Sequence, residues 1–216
     1  MGEELGKIEK PSVDQFAKGR RLLFVPLLLK GGEVTKEYSE KLDKYWSQVE
    51  QQIDNLVSKL GGIQRLFHEL VYLTGKEGLD ELKGINEPTY VIAEKLVDKG
   101  ASFEAVEDKE LLTELSDWGR CLSSGLENQK VFTEVFNSYE EALTKRNDYI
   151  TKKIDETLKP DEIGILFFSE RNQIKFPQDV EVFYIAPPAL DEINRWERES
   201  KNPPVPEDKG DSKEQS

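Results

Sequence analysis

Short apolar runs alternate along the chain with longer segments in which apolar residues recur every three or four positions. Each run has the length of a strand and is rich in β-branched, aromatic or aliphatic residues, so five strands are predicted. Strands that alternate with helices are typical of a sheet built from crossover connections. The predicted strands are Leu22–Leu29, Ile63–Phe67, Ser102–Val106, Ile163–Phe168 and Val180–Ala186.

The longer segments have the period of amphipathic helices. One apolar stripe runs from Tyr38 to Leu60 and is followed by two glycines, which are common at a helix end. The longest helix is predicted from Glu127 to Leu158, where Pro160 stops it. Further helices are predicted over Pro88–Lys99, from Asp108 to about Trp118 and from about Pro188 to Glu199.

This pattern predicts a single α/β domain over residues 20–200. Its sheet is expected to be largely parallel, with about five strands, crossover helices and one long helix before the fourth strand. Residues 1–19 form a polar N-terminal segment, and residues 201–216 are predicted to be a disordered tail. That tail has one large apolar residue, Val205, so its removal from about Asn202 onward is expected to leave stability unchanged.

The charge and the cysteine content limit the classes of function. A net charge of −13 argues against nucleic acid and anionic membranes as partners, because both require a cationic face. Cys121 is the only cysteine, so no intramolecular disulfide can form. No apolar run has the length of a membrane span, and the first twenty residues lack the apolar core of a signal peptide. A cytoplasmic location is therefore predicted.

Candidate chemistry lies directly after the predicted strands, because crossover sheets bind ligands outside the carboxyl ends of their strands. His68 and Glu69 follow the second strand, Glu107 and Asp108 the third, and Glu170 the fourth. Carboxylates and a histidine at one edge would suit a divalent metal or proton transfer. The alternative is that these are solvated strand ends, and that Glu107 and Asp108 begin the next helix near its positive end.

Arg146 completes the set of candidate site residues. It shares a helix stripe with Tyr139, Leu143 and Ile150, so its guanidinium needs a partner. That partner is either an anionic ligand or catalytic carboxylate, or a neighbouring glutamate or water. His68 is the only histidine, which excludes a site with several histidines and a zinc site of the Cys/His type.

Motifs for common enzymatic reactions are absent. No GxGxxG follows a strand, and neither GxxxxGK[ST] nor GxSxG occurs. The sequence therefore contains no motif for nucleotide binding and no nucleophile elbow of a serine hydrolase.

The segment from Glu141 through Arg146 to Ile150, followed by the strand Gly164–Phe168, resembles the C-terminal half of TraB/Tiki-type proteins. Relatives of that family include ChaN and erythromycin esterase-like proteins. The resemblance covers about residues 20–186. It implies a compact α/β fold and, for some members, metal-dependent or esterase-like hydrolysis.

This sequence departs from the family pattern at two places. The family histidines after the first and fourth strands are absent, since Leu27-Leu28-Leu29 and Ser169-Glu170 occupy those places. The resemblance implies that Glu69, Glu141 and Arg146 are the retained polar positions, with Glu170 in a replaced one.

Two functional hypotheses follow. The first is a non-catalytic protein that binds a small ligand or a partner protein at the carboxyl edge of its sheet. The second is a metal-assisted hydrolase in which Glu69, Glu107, Asp108 and Glu170 form the site, Arg146 stabilises an anion and a divalent metal is the cofactor. Convergence of these side chains in a concave pocket would favour the hydrolase.

Overall fold

The computed structural model describes residues 19–29, 35–169 and 174–201. The predicted N-terminal segment up to residue 18, the predicted tail beyond Lys201, and Glu170 lie outside these residues. The strands are β1 (Arg20–Pro26), β2 (Arg65–His68), β3 (Ser102–Glu104), β4 (Ile163–Phe168) and β5 (Val180–Tyr184). The helices are α1 (Lys36–Leu60), α2 (Gly75–Ile85), α3 (Glu87–Asp98), α4 (Lys109–Ser123), α5 (Gln129–Thr157) and α6 (Pro188–Lys201).

The five strands form one parallel sheet in the order β3-β2-β4-β1-β5. The predicted α/β fold with a parallel sheet is therefore confirmed. Strands β1 and β4 lie side by side near the middle of the sheet and are buried at every position. Strands that are buried along their whole length are expected where helices cover both faces of a sheet.

The two faces of the sheet carry different helices. On one face, residues of α1, α3 and α6 pack against Leu23, Val25 and Ile165. On the other face, Ile150 and Ile154 of α5 pack with alternate residues of the same strands. The period of two along each strand therefore divides the apolar residues between two cores.

The chain reverses its direction across the sheet after β3. It moves from β1 past β4 to β2 and β3, and then returns to β4 through α4 and α5. Since crossovers are right-handed, a reversed crossover must use the opposite face, and α5 does so. Connections that leave the neighbouring strands β2 and β4 thus go to opposite faces, which creates a crevice between their carboxyl ends.

One helix was absent from the sequence prediction. The helix α2 contains Gly75, Gly78 and Gly84, and glycine is a poor helix former. Tertiary packing explains why this segment is helical. Gly78 is buried, and a Cβ there would lie 2.8 Å from the ring of Phe103. The helix therefore forms where a glycine lets it approach β3 closely.

Most other element boundaries agree with the sequence prediction within a few residues. Strand β4 has the predicted bounds, and α5 is one continuous helix of 29 residues. None of the helices in the described ranges has the length and apolar composition needed to cross a bilayer.

Candidate functional site at the carboxyl edge

A buried ion-pair network joins three of the candidate residues. Arg146 Nε donates to Glu107 Oε2 at 2.9 Å, and Nη2 donates to Glu69 Oε1 at 3.0 Å and to Glu107 Oε1. The side chains of Arg146, Glu69 and Glu107 expose only 2%, 4% and 0% of their surface. The network therefore ties α5 to the segments that follow β2 and β3, in a place closed to solvent.

The two glutamates also fix the loops beside them. Glu69 Oε2 accepts hydrogen bonds from the backbone nitrogen and the hydroxyl of Ser169, both at 2.7 Å. Glu107 Oε1 accepts a hydrogen bond from the backbone nitrogen of Leu70 at 3.1 Å. Leu70 has a φ of 71°, a backbone conformation that is uncommon for residues other than glycine. Such a conformation persists where contacts from the surrounding structure hold it in place. Glu107 thus stabilises a strained turn.

The network keeps its arginine charged. Burial by itself lowers the pKa of Arg146, but the hydrogen bond and charge of Glu107 and the charge of Glu69 raise this pKa above its ordinary value. The guanidinium also lies 5.4 Å from the centre of the Phe168 ring, within the range of a cation–π contact. Arg146 thus points inward and has two glutamates as partners.

His68 is turned away from the network. Neighbouring residues of a strand point to opposite faces, so the His68 ring packs on the α3 side, stacked with Phe167. Its Nδ1 contacts the Glu69 carbonyl oxygen, and its Nε2 lies 3.0 Å from Thr89 Oγ1. Burial lowers the pKa of His68 to about 4, against the opposing effects of the Glu69 carbonyl and carboxylate. The ring is a neutral, packed imidazole.

Acidification from pH 7 to pH 5 is expected to cost about 2 kcal/mol of unfolding free energy through His68. Its pKa falls from an ordinary 6.5 to about 4 on folding, so the unfolded chain binds the proton first. The stabilisation is complete above pH 6.5 and is lost as the pH falls towards 4. Denaturant titrations of the unmodified chain and of His68→Gln at both pH values measure it. An equal loss in both proteins would contradict the role of His68.

The remaining candidates do not join the network. Asp108 caps the start of α4, where its Oδ1 accepts from the backbone nitrogens of Glu110 and Leu111 at 2.9 and 3.0 Å. This matches the alternative that Asp108 begins a helix. Glu141 is exposed and pairs with Lys145 along α5, one turn from the network, while Glu170 lies outside the described residues.

The carboxylates of the network, which are its potential metal ligands, are already hydrogen-bonded within the protein. Each carboxylate oxygen of Glu69 and Glu107 already accepts a hydrogen bond from Arg146 or from the neighbouring loops. Over the described part of the chain, no three or more His, Cys, Asp or Glu side chains are grouped so that they could hold a metal ion. The arrangement is that of a closed structural network.

A cavity of about 550 Å³ lies at the same edge of the sheet, on the face covered by α1 and α3. This volume is within the range of small-molecule sites. Its walls come from the segments after β1 and β2, from α1 and from the start of α3. The lining residues are Leu28, Leu29, Asp43, Trp46, Leu70, Ile85, Asn86, Glu87, Pro88 and Val91.

Two hydrogen-bonded assemblies hold the cavity walls. On one side, the turn at Leu70 is fixed by the Glu107 carboxylate. On the other side, His68 contacts Thr89, and the Thr89 hydroxyl lies 3.0 Å from the Asn86 carbonyl oxygen. The Asn86 amide then donates to the Leu28 carbonyl oxygen at 3.3 Å. His68 and Glu107 therefore support the cavity walls without lining the cavity.

Sequence reasoning missed the residues that line the cavity, because they are scattered over four segments. One signal was present: Asn86 stands two residues before Pro88, an arrangement typical of a helix N-cap and its first turn. That cap lies at the carboxyl edge of the sheet.

Comparisons with protein-family models, with curated proteins and with solved structures find no significant match for this chain. The relationship to TraB/Tiki-type proteins stays a prediction.

Proposed function

We propose that this chain is a non-catalytic binding protein whose small ligand occupies the cavity at the carboxyl edge of the sheet. The observation that carries the proposal is the cavity itself, at the place where crossover sheets bind ligands. It has apolar walls and a few polar groups, as small-molecule sites have.

The environment of the charged residues favours binding over catalysis. Catalytic groups must come within hydrogen-bonding distance of a substrate. Glu69, Glu107 and Arg146 are almost completely enclosed, and they bond to one another and to the backbone. In the proposal, these three residues position the cavity wall at Leu70. The residues of the wall contact the ligand.

The proposal is tested by filling the cavity. Val91 is 39% exposed and lines the cavity, so Val91→Trp adds a large ring there at little cost to the core. Binding of the neutral fluorescent probe N-phenyl-1-naphthylamine is expected to weaken at least about tenfold, which corresponds to about 1.4 kcal/mol. The matched control is Val131→Trp, because Val131 is 46% exposed on α5 and lies away from the cavity.

The outcomes separate clearly. Retained probe binding in Val131→Trp together with its loss in Val91→Trp supports the cavity as the binding site. Equal binding by both variants, or no binding by the unmodified chain, contradicts the proposal. Thermal unfolding of each variant checks that the substitution leaves the fold intact.

A further inference from the structure

Among the described residues, both charged side chains that line the carboxyl-edge cavity are acidic. Asp43 of α1 and Glu87 of α3 contribute carboxylates from two sides, and no lysine or arginine in the described ranges lines the cavity. Neither carboxylate forms an ion pair within the described part of the chain. A ligand that enters therefore meets two negative charges without a compensating positive charge from the described residues of the wall.

Most of the remaining wall residues are apolar, and one of them is aromatic. Leu28, Ile85 and Val91 provide carbon surface, and the indole of Trp46 lies among them. Tryptophan is the side chain whose ring attracts cations most strongly. Asp43 and Glu87 are exposed, and even in water a unit charge about 4 Å away attracts its opposite by about 1 kcal/mol. The cavity thus combines a surface for an apolar body with groups that favour positive charge.

From this charge complementarity we propose that the cavity takes an organic cation, an ammonium or guanidinium group joined to an apolar body. This inference rests on the proposed function, because it specifies the ligand of the same cavity. The acidic wall disfavours carboxylates, phosphates and sulfonates, since like charges repel in a partly enclosed space. A bare divalent ion also fits poorly, because calcium takes about six to eight oxygen ligands and this wall is mostly carbon.

The test uses two competitors with the same apolar body and opposite charge. Benzyltrimethylammonium and benzylsulfonate are each titrated against bound N-phenyl-1-naphthylamine on the full chain. The cation is expected to displace the neutral probe at a concentration at least about tenfold lower than the anion, a ratio that corresponds to about 1.4 kcal/mol.

Charge-neutralising variants show where this preference arises. In the double variant Asp43→Asn with Glu87→Gln, the preference for the cation is expected to fall below about threefold, because both wall charges are removed. The control variant, Asp98→Asn with Glu110→Gln, removes two exposed carboxylates that do not line the cavity, so it changes the net charge equally. The control variant should prefer the cation over the anion as strongly as the unmodified chain does.

The failures of the two proposals are distinguishable. If the neutral probe binds but the two competitors act alike, or if neither competes, the organic cation is excluded and the cavity remains a binding site. A preference that survives in the Asp43 and Glu87 variant also overturns the inference, because the wall carboxylates would not be its cause. A preference that disappears in the control variant overturns it too, because the net charge would then be the cause. If the neutral probe does not bind, the proposed function fails and this inference fails with it.

Discussion

Replacement of Arg146 by methionine is expected to lower the free energy of unfolding by about 3–5 kcal/mol. The side chain keeps its apolar stem, but Glu69 and Glu107 lose their shared partner while both remain enclosed. A buried charge without a partner pays its full desolvation penalty, and two carboxylates that face each other also repel. Chemical denaturation at neutral pH measures the loss.

The ion pair of Arg120 provides the matched control. Arg120 pairs with Asp117 on α4, and its side chain is 75% exposed. Arg120→Met is expected to cost at most about 1 kcal/mol, because exposed ion pairs contribute little. If both methionine variants lose equally little, Arg146 is not the counter-ion of a buried network.

A second-site substitution tests the cause of the loss. Adding Glu69→Gln to Arg146→Met removes one of the two uncompensated carboxylates, so part of the lost stability should return. A double variant no more stable than Arg146→Met would show that lost packing, rather than charge, explains the effect.

Metal titration separates the two functional hypotheses. A divalent ion that binds only the folded state would raise the thermal midpoint by mass action. We expect Mg²⁺, Mn²⁺ and Ca²⁺ to leave the midpoint unchanged, because Arg146 offsets one of the two glutamate charges and every carboxylate oxygen of Glu69 and Glu107 already accepts a hydrogen bond. A metal-dependent rise that disappears in Glu69→Gln or Glu170→Gln would favour the metal-assisted hydrolase instead.

Truncation of Trp46 to alanine is expected to destabilise the fold by about 3–5 kcal/mol. Trp46 is 6% exposed and packs with the ring of Tyr45 in an edge geometry and with the ring of Phe167 on β4, at centroid distances of 4.9 and 6.5 Å. Its removal takes away apolar contacts between α1 and the sheet and enlarges the carboxyl-edge cavity. The loss is measured by denaturant unfolding.

Trp118 supplies the comparison for this truncation. It is half-buried on α4, which packs chiefly against α5, so Trp118→Ala should cost clearly less than Trp46→Ala. A loss below about 1 kcal/mol in Trp46→Ala would show that α1 does not depend on this side chain to cover the sheet.

Local pattern alone determined most helices and strands of this protein. The apolar run Ile163–Phe168 has the bounds of β4, and the long stripe up to Ile154 identified the helix before it. The pattern also showed that Arg146 lies in an apolar stripe and needs a partner. These features depend on neighbouring residues in sequence, which is why periodicity reveals them.

The alternation of side chains along a strand could have separated two of the candidates. His68 and Glu69 are adjacent, so an extended backbone sends them to opposite faces of the sheet. One meets Thr89 and the other meets Arg146. Grouping them in a single site overlooked this constraint.

Tertiary structure alone decided which segments meet. The order β3-β2-β4-β1-β5 depends on pairings between distant strands, and it places Glu69, Glu107 and Arg146 together across 77 and 39 residues of sequence separation. Packing against Phe103 also makes a helix of the glycine-containing α2. The cavity is formed by four separate segments of the chain. No local preference encodes such a space, because its shape depends on how the whole sheet and its helices pack.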